Sequence, residues 1–183
     1  SFTVAVRPDF SIPLTTGWNL ISLPGSPAAG STDINTVIPS THDIDLVMTY
    51  NPTDARKWLT ATRGTDGLFD TTEISDIGSS LAYFVRTTSF DALEVTIPGT
   101  RGGDASNLPE ISLVEGWNLV PVRDVKGDKA AGDTITASTY LDTVSEKRVY
   151  GYDPLNDRFE SVTNVAVGKG YWVWLSAAGT LVP

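Results

Sequence analysis

A ten-residue block occurs twice in this chain, and the repeat limits what the chain can fold into more than any other feature. Residues 12–21 read Ile-Pro-Leu-Thr-Thr-Gly-Trp-Asn-Leu-Ile, and residues 111–120 read Ile-Ser-Leu-Val-Glu-Gly-Trp-Asn-Leu-Val. Chance does not readily produce a shared Gly-Trp-Asn-Leu inside a matching frame. The chain is therefore read as a tandem of two related modules. At 183 residues it has room for one large or two small domains. Small units bury a modest fraction of their surface, so a shared core is a natural outcome.

Further pairs follow the repeat in order. Residues 46–50 form a strand that leads into the Asn51-Pro52 turn, and the chain returns along residues 56–60. The second half has the same hairpin in residues 148–152 and 158–162, with Tyr152 and Pro154 in the places of Tyr50 and Pro52. Proline's fixed φ suits the second position of such turns. Residues 82–85, Ala-Tyr-Phe-Val, match residues 170–173, Gly-Tyr-Trp-Val. These runs are apolar on both faces and read as central strands. A short helix is expected after Ser31-Thr32-Asp33, and a longer one after Gly132-Asp133-Thr134.

The predicted architecture is mainly β, with two tandem modules, barrel-like or sandwich-like, of about five strands each. They are expected to pack with pseudo-twofold symmetry. The divisions are an N-terminal strand or preceding-domain tail over residues 1–11, a first module over 12–98, a linker over 99–110 and a second module over 111–183. The linker is short, polar and glycine-rich, which favours packed modules over independent ones. Residues 63–72 occur only in the first module, and their Gly64, Asp66, Gly67 and Asp70 predict an exposed loop.

Charge and composition exclude some functions. The net charge is −9, which lacks the basic footprint of nucleic-acid binding and disfavours anionic membrane surfaces. No apolar run reaches membrane-spanning length. The absence of cysteine removes disulfides and thiolate chemistry. The chain begins at Ser1, as a processed or excised piece would.

The order Gly-Trp-Asn-Leu-Ile-Ser-Leu-Pro (residues 17–24), short helix, Tyr-Asn-Pro or Tyr-Asp-Pro hairpin (50–52 and 152–154), then Gly-Lys-Gly-Tyr-Trp-Val (168–173) resembles a repeat module of large secreted bacterial and archaeal surface proteins. The resemblance implies an extracellular or cell-surface setting, among adhesins, surface-layer proteins and secreted hydrolases. It carries no catalytic residues. Expected partners are other domains of the same surface protein, cell-envelope proteins or polysaccharide. A weaker likeness to kelch blades lacks their glycine doublet, and two repeats cannot close a propeller.

Candidate sites are few. Trp18 and Trp117, with Tyr83 and Tyr171, are assigned to the core; on that basis Trp117→Ala is expected to cost about 3–5 kcal/mol. Trp172 and Trp174 lie two apart and share a strand face, where indoles can stack on sugar rings. Trp58 and Tyr50 flank the first hairpin and join them as candidate carbohydrate-binding residues. Asp124, Asp128 and Asp133 form an acidic loop that could serve calcium, although the order is not that of an EF-hand. No other cofactor is indicated. His42 lies beside Asp43, with Ser40 and Thr41 adjacent, but no nucleophile motif surrounds them. The leading reading is a non-catalytic extracellular module pair acting in adhesion, assembly or spacing. The alternatives are a carbohydrate-binding module and an accessory domain of a secreted hydrolase.

Overall fold

A computed structural model describes residues 10–27, 31–97, 110–124, 127–145 and 147–183. The strand expected near residues 2–6, the glycine-rich linker at 99–107 and part of the 124–128 acidic loop lie outside them. Among these residues the fold is mainly β, with two four-residue helices.

In the first half, β1 (Phe10–Leu14) pairs antiparallel with β6 (Asp91–Val95). A four-stranded antiparallel sheet takes the order β2 (Gly17–Ser22), β5 (Ala82–Thr87), β3 (Ile44–Tyr50), β4 (Trp58–Thr62). The helix α1 (Ile34–Val37) has Asp33 as its N-cap, whose carboxylate accepts from the Asn35 and Thr36 amides at 2.9 and 3.2 Å. In the second half β7 (Ile111–Leu113) pairs with β14 (Gly179–Leu181). A second four-stranded sheet runs β8 (Gly116–Pro121), β13 (Gly170–Leu175), β10 (Lys147–Asp153), β11 (Arg158–Ser161). Thus the two Gly-Trp-Asn-Leu strands each form one sheet edge, and each hairpin lies on the far side of its central strand.

Two expectations change. The helix α2 (Ala137–Tyr140) is no longer than α1, because β9 (Thr134–Thr136) takes the residues before it to pair with β12 (Asn164–Ala166). The insertion at residues 63–72 is not a wholly exposed loop. Phe69 within it is buried, and the Arg63 guanidinium stacks over its ring at 4.1 Å while donating to carbonyls of Ile38, Pro39, Ile44 and Gly67.

The repeated Gly-x-Asn has a mechanical explanation. Gly17 and Gly116 both adopt φ near +90°, a region L-residues avoid. Asn19 then turns its side chain back over this turn, accepting from the Thr15 amide and donating to the Thr15 and Gly17 carbonyls. Asn118 repeats the pattern on Val114 and Gly116. Both asparagines are buried. Asn118→Ala removes all three bonds and leaves partly buried backbone groups unpaired, so it should lower unfolding free energy by about 2 kcal/mol in denaturant titration. A loss under about 0.5 kcal/mol would show the turn closes without it.

One apolar cluster runs through both halves, from Phe10, Ile21 and Leu93 to Val120, Leu141 and Leu175. Ser22 stitches the junction. It is fully buried; its hydroxyl donates to the Lys169 carbonyl at 2.7 Å and accepts from the Val122 amide at 3.0 Å, and its own amide donates to the Gly168 carbonyl. The two halves of the chain therefore share a core.

Tyr83 and Tyr171 lie in this core. Each hydroxyl accepts from an amide five residues upstream, Gly78 and Ala166 respectively. Burial pushes the Tyr83 hydroxyl up to about 12, and the Tyr140 hydroxyl likewise to about 12. A phenol whose folded pKa is raised stabilises the fold fully below its unfolded value, about 10, and ceases to do so as pH climbs through the folded one. Loss of stability is therefore expected between about pH 10 and 12, followed by circular dichroism in denaturant; Tyr140→Phe should flatten that loss while lowering stability at neutral pH, because the hydroxyl also donates to the Pro121 carbonyl and accepts from the Arg123 amide. An alkaline limb unchanged by that substitution would contradict the assignment.

Candidate functional site

Strand alternation sends Trp18 and Trp117 away from the core, and this corrects their assignment. Because Asn19 and Asn118 are fixed inward over their turns, the residue before each must point to the opposite face. Trp117 is 44% exposed and Trp18 half-buried. The expected cost of Trp117→Ala falls accordingly, to about 2 kcal/mol.

The face these tryptophans occupy carries most of the aromatic rings. On the first sheet Trp18 lies opposite Arg86, Leu20 opposite Phe84, Met48 opposite Phe84 and Tyr50 opposite Trp58. On the second, Trp117 lies opposite Trp174, Leu119 opposite Trp172, Tyr150 opposite Trp172 and Tyr152 opposite Phe159. The two faces meet at Leu20, Ala82 and Leu119, with Tyr50, Phe84, Tyr152 and Trp172 packed against them. The sheets come close at Gly170, where a Cβ would stand 2.5 Å from the Ala82 Cβ and 3.0 Å from Leu20 Cδ1.

From this contact the rings spread in a continuous network. Trp172 of the second sheet meets Tyr50 of the first at 5.0 Å between centroids and Trp58 at 5.9 Å. Phe84 of the first meets Tyr152 at 5.9 Å and Phe159 at 6.1 Å. Each hairpin thus leans over the other sheet. Most of these contacts are edge-to-face, the arrangement the ring quadrupole favours. Packing is incomplete: Trp58 is 40% and Phe159 45% exposed, and Tyr50 and Trp172 are half-buried.

Tyr50, Trp117, Tyr150, Phe159 and Trp172 line a cavity of about 560 Å³. Its walls come from both halves of the chain. A smaller cavity of about 220 Å³ lies against Trp18, Met48, Trp58, Phe84, Tyr152 and Asp157. There the Tyr152 hydroxyl donates to the Asp157 carboxylate, and its pKa is raised, first by desolvation and then by that bond to an anion. Asp157 itself adopts a left-handed φ of 49°, a conformation aspartate tolerates better than most residues.

Of the four candidate sugar-binding residues, the structure brings Tyr50, Trp58 and Trp172 into one ring network. Trp174 lies at the far end of the same face, under the Arg148 guanidinium at 5.3 Å, and does not line the larger cavity. Trp117, Tyr150, Phe84, Tyr152 and Phe159 were not singled out as ligand contacts. The signal available was the hairpin register, which sets Tyr150, Tyr152 and Phe159 against strands carrying Trp172 and Phe84.

In the proposed calcium loop, the Asp124 carboxylate is buried and accepts from the Gly127 and Lys129 amides. Asp133 accepts from the Ala130 amide, and Asp128 pairs with Lys129 at 3.5 Å. These bonds close turns. Among the described residues no cluster of three or more acidic or histidine side chains has the geometry to hold a metal. His42 Nδ1 lies 2.7 Å from the Asp91 carboxylate and ties the loop before β3 to β6. No protein-family model, curated protein or solved structure matches the chain.

Proposed function

We propose that the chain is a non-catalytic ligand-binding module pair of a cell-surface or secreted protein, and that its ring-lined cleft holds carbohydrate. The two modules are read as relatives packed with pseudo-twofold symmetry, supported by the matching strand order of the two sheets. The observation that carries the functional reading is the larger cavity, whose five lining residues are all aromatic and come from both modules. Its volume falls within the range of small-molecule sites, about 300–1,000 Å³. Pyranose rings present flat arrays of C–H groups that match aromatic faces, and the Tyr50 and Tyr150 phenols add hydroxyl groups to the walls. The lining holds no carboxylate, imidazole or aliphatic hydroxyl for acid–base or nucleophilic work.

The resemblance to surface-protein repeats supports an extracellular setting, and the net charge of −9 speaks against nucleic acid as the ligand. The test is intrinsic tryptophan fluorescence during titration with soluble xylan, laminarin, glucomannan, amylose and polygalacturonate. A saturable change with at least one neutral polysaccharide is expected. Emission indifferent to all five would overturn the carbohydrate reading and favour a protein partner for the same rings.

A further inference from the structure

We infer that the two ring-lined cavities are consecutive subsites of one extended site for an uncharged oligosaccharide, and that Asp157 makes the second subsite reject acidic sugars. This rests on the carbohydrate reading of the cleft. Volume is the first argument. At about 220 Å³ the smaller cavity lies below the usual range of an independent small-molecule site, about 300–1,000 Å³, whereas the larger lies within it. The smaller one makes sense as an extension.

Continuity is the second argument. Rings of one cavity touch rings of the other at several places. Tyr50 meets Trp58 at 5.3 Å, Trp172 meets Trp58 at 5.9 Å, and Phe159 meets Tyr152 at 5.2 Å and Phe84 at 6.1 Å. Trp58 therefore borders Trp172 of the larger cavity and, with Trp18, lines the smaller one, and Phe84 lies between the two indoles.

Polarity is the third argument. The larger cavity has no charged lining residue, and Asp157 is the charged residue lining the smaller. The nearby Arg86 guanidinium, which lies 5.8 Å over the Trp18 ring, is matched by the Asp45 carboxylate at 2.8 Å. Arg158, next to Asp157, is paired with Glu160. A uronate or sulfate placed there meets a like charge, while a neutral sugar hydroxyl can donate to the Asp157 carboxylate beside Tyr152.

The test uses ladders of two to six sugars from xylan, laminarin, glucomannan, amylose and polygalacturonate, measured by isothermal titration calorimetry. At least one neutral ladder should tighten by about tenfold or more from the shortest to the longest member, and the acidic ladder should bind at least about tenfold more weakly than it. Trp18→Ala should flatten the neutral ladder. Asp157→Asn, which keeps an acceptor for Tyr152, should narrow the gap between the acidic and neutral ladders by several-fold. A flat wild-type ladder, or a Trp18→Ala ladder as steep as wild type, overturns the extended site while leaving the larger cavity as a binding site. An unaltered acidic-to-neutral gap in Asp157→Asn overturns the selectivity. Binding by no ladder at all overturns the carbohydrate reading and this inference together.

Discussion

Trp172→Ala is expected to weaken glycan binding about thirtyfold or more and to lower unfolding free energy by about 3 kcal/mol. Trp172 stands at the centre of the ring network, with Tyr50, Trp58 and Trp117 at centroid distances of 5.0, 5.9 and 6.2 Å. Aromatic pairs contribute about 0.5–1.5 kcal/mol each beyond the area they bury, so losing three removes a few kcal/mol even after partial relaxation. Central, half-buried tryptophans are also where binding energy concentrates, with truncations commonly costing about 2–4 kcal/mol, a loss of about thirtyfold to a thousandfold in affinity. The comparison with Trp117→Ala separates the two effects. Trp117 lines the same cavity but is 44% exposed and has two ring neighbours rather than three, so its truncation should weaken binding while costing less stability, about 2 kcal/mol. Calorimetry and denaturant titration on both variants provide the check. Equal destabilisation by the two substitutions would mean that Trp117 is a core residue after all.

Gly170→Val should be the most destabilising single substitution at the junction, by about 3 kcal/mol or more. The first atom of any side chain at this position falls 2.5 Å from the Ala82 Cβ. Ala82 is fully buried, and its Cβ is fixed to the backbone and cannot rotate aside. The added volume must therefore drive the two sheets apart, and overpacking of this kind costs about 1–3 kcal/mol even where side chains can yield. Ala82→Gly in the same chain should recover part of the loss, since it deletes the atom that clashes. A double-mutant cycle in denaturant, with favourable coupling of about 1 kcal/mol or more between positions 170 and 82, is the expected result. Additive effects would show that the faces do not meet there.

Much of the fold was legible because the chain repeats itself. The hairpins at Tyr50–Pro52 and Tyr152–Pro154 and the central strands follow from pattern and spacing. The misassigned tryptophans show where that reading stops. Trp18 and Trp117 sit in apolar strands, and hydrophobicity alone sends them inward. Their direction is decided by Asn19 and Asn118, whose buried hydrogen bonds to a turn closed by a positive-φ glycine fix the phase of the strand. The same limit applies to the site. Tyr50, Trp58 and Trp172 could be nominated one strand at a time, but their contact arises from the packing of one sheet against the other around Gly170. No local pattern encodes that approach. The local pattern around Thr134 extends helix α2 too far for a related reason: Thr134–Thr136 finds a partner in residues 164–166, and the tertiary pairing overrides a weak local helical preference.

The central claim is that both modules contribute to one ring-lined binding cleft, and it is tested most directly by nuclear magnetic resonance of the five tryptophan indole N–H groups during titration with the neutral oligosaccharide that binds. The indole signals of Trp58, from the first module, and of Trp117 and Trp172, from the second, should shift together and saturate on one curve. Shifts confined to one module, or saturating on separate curves, would contradict a shared cleft.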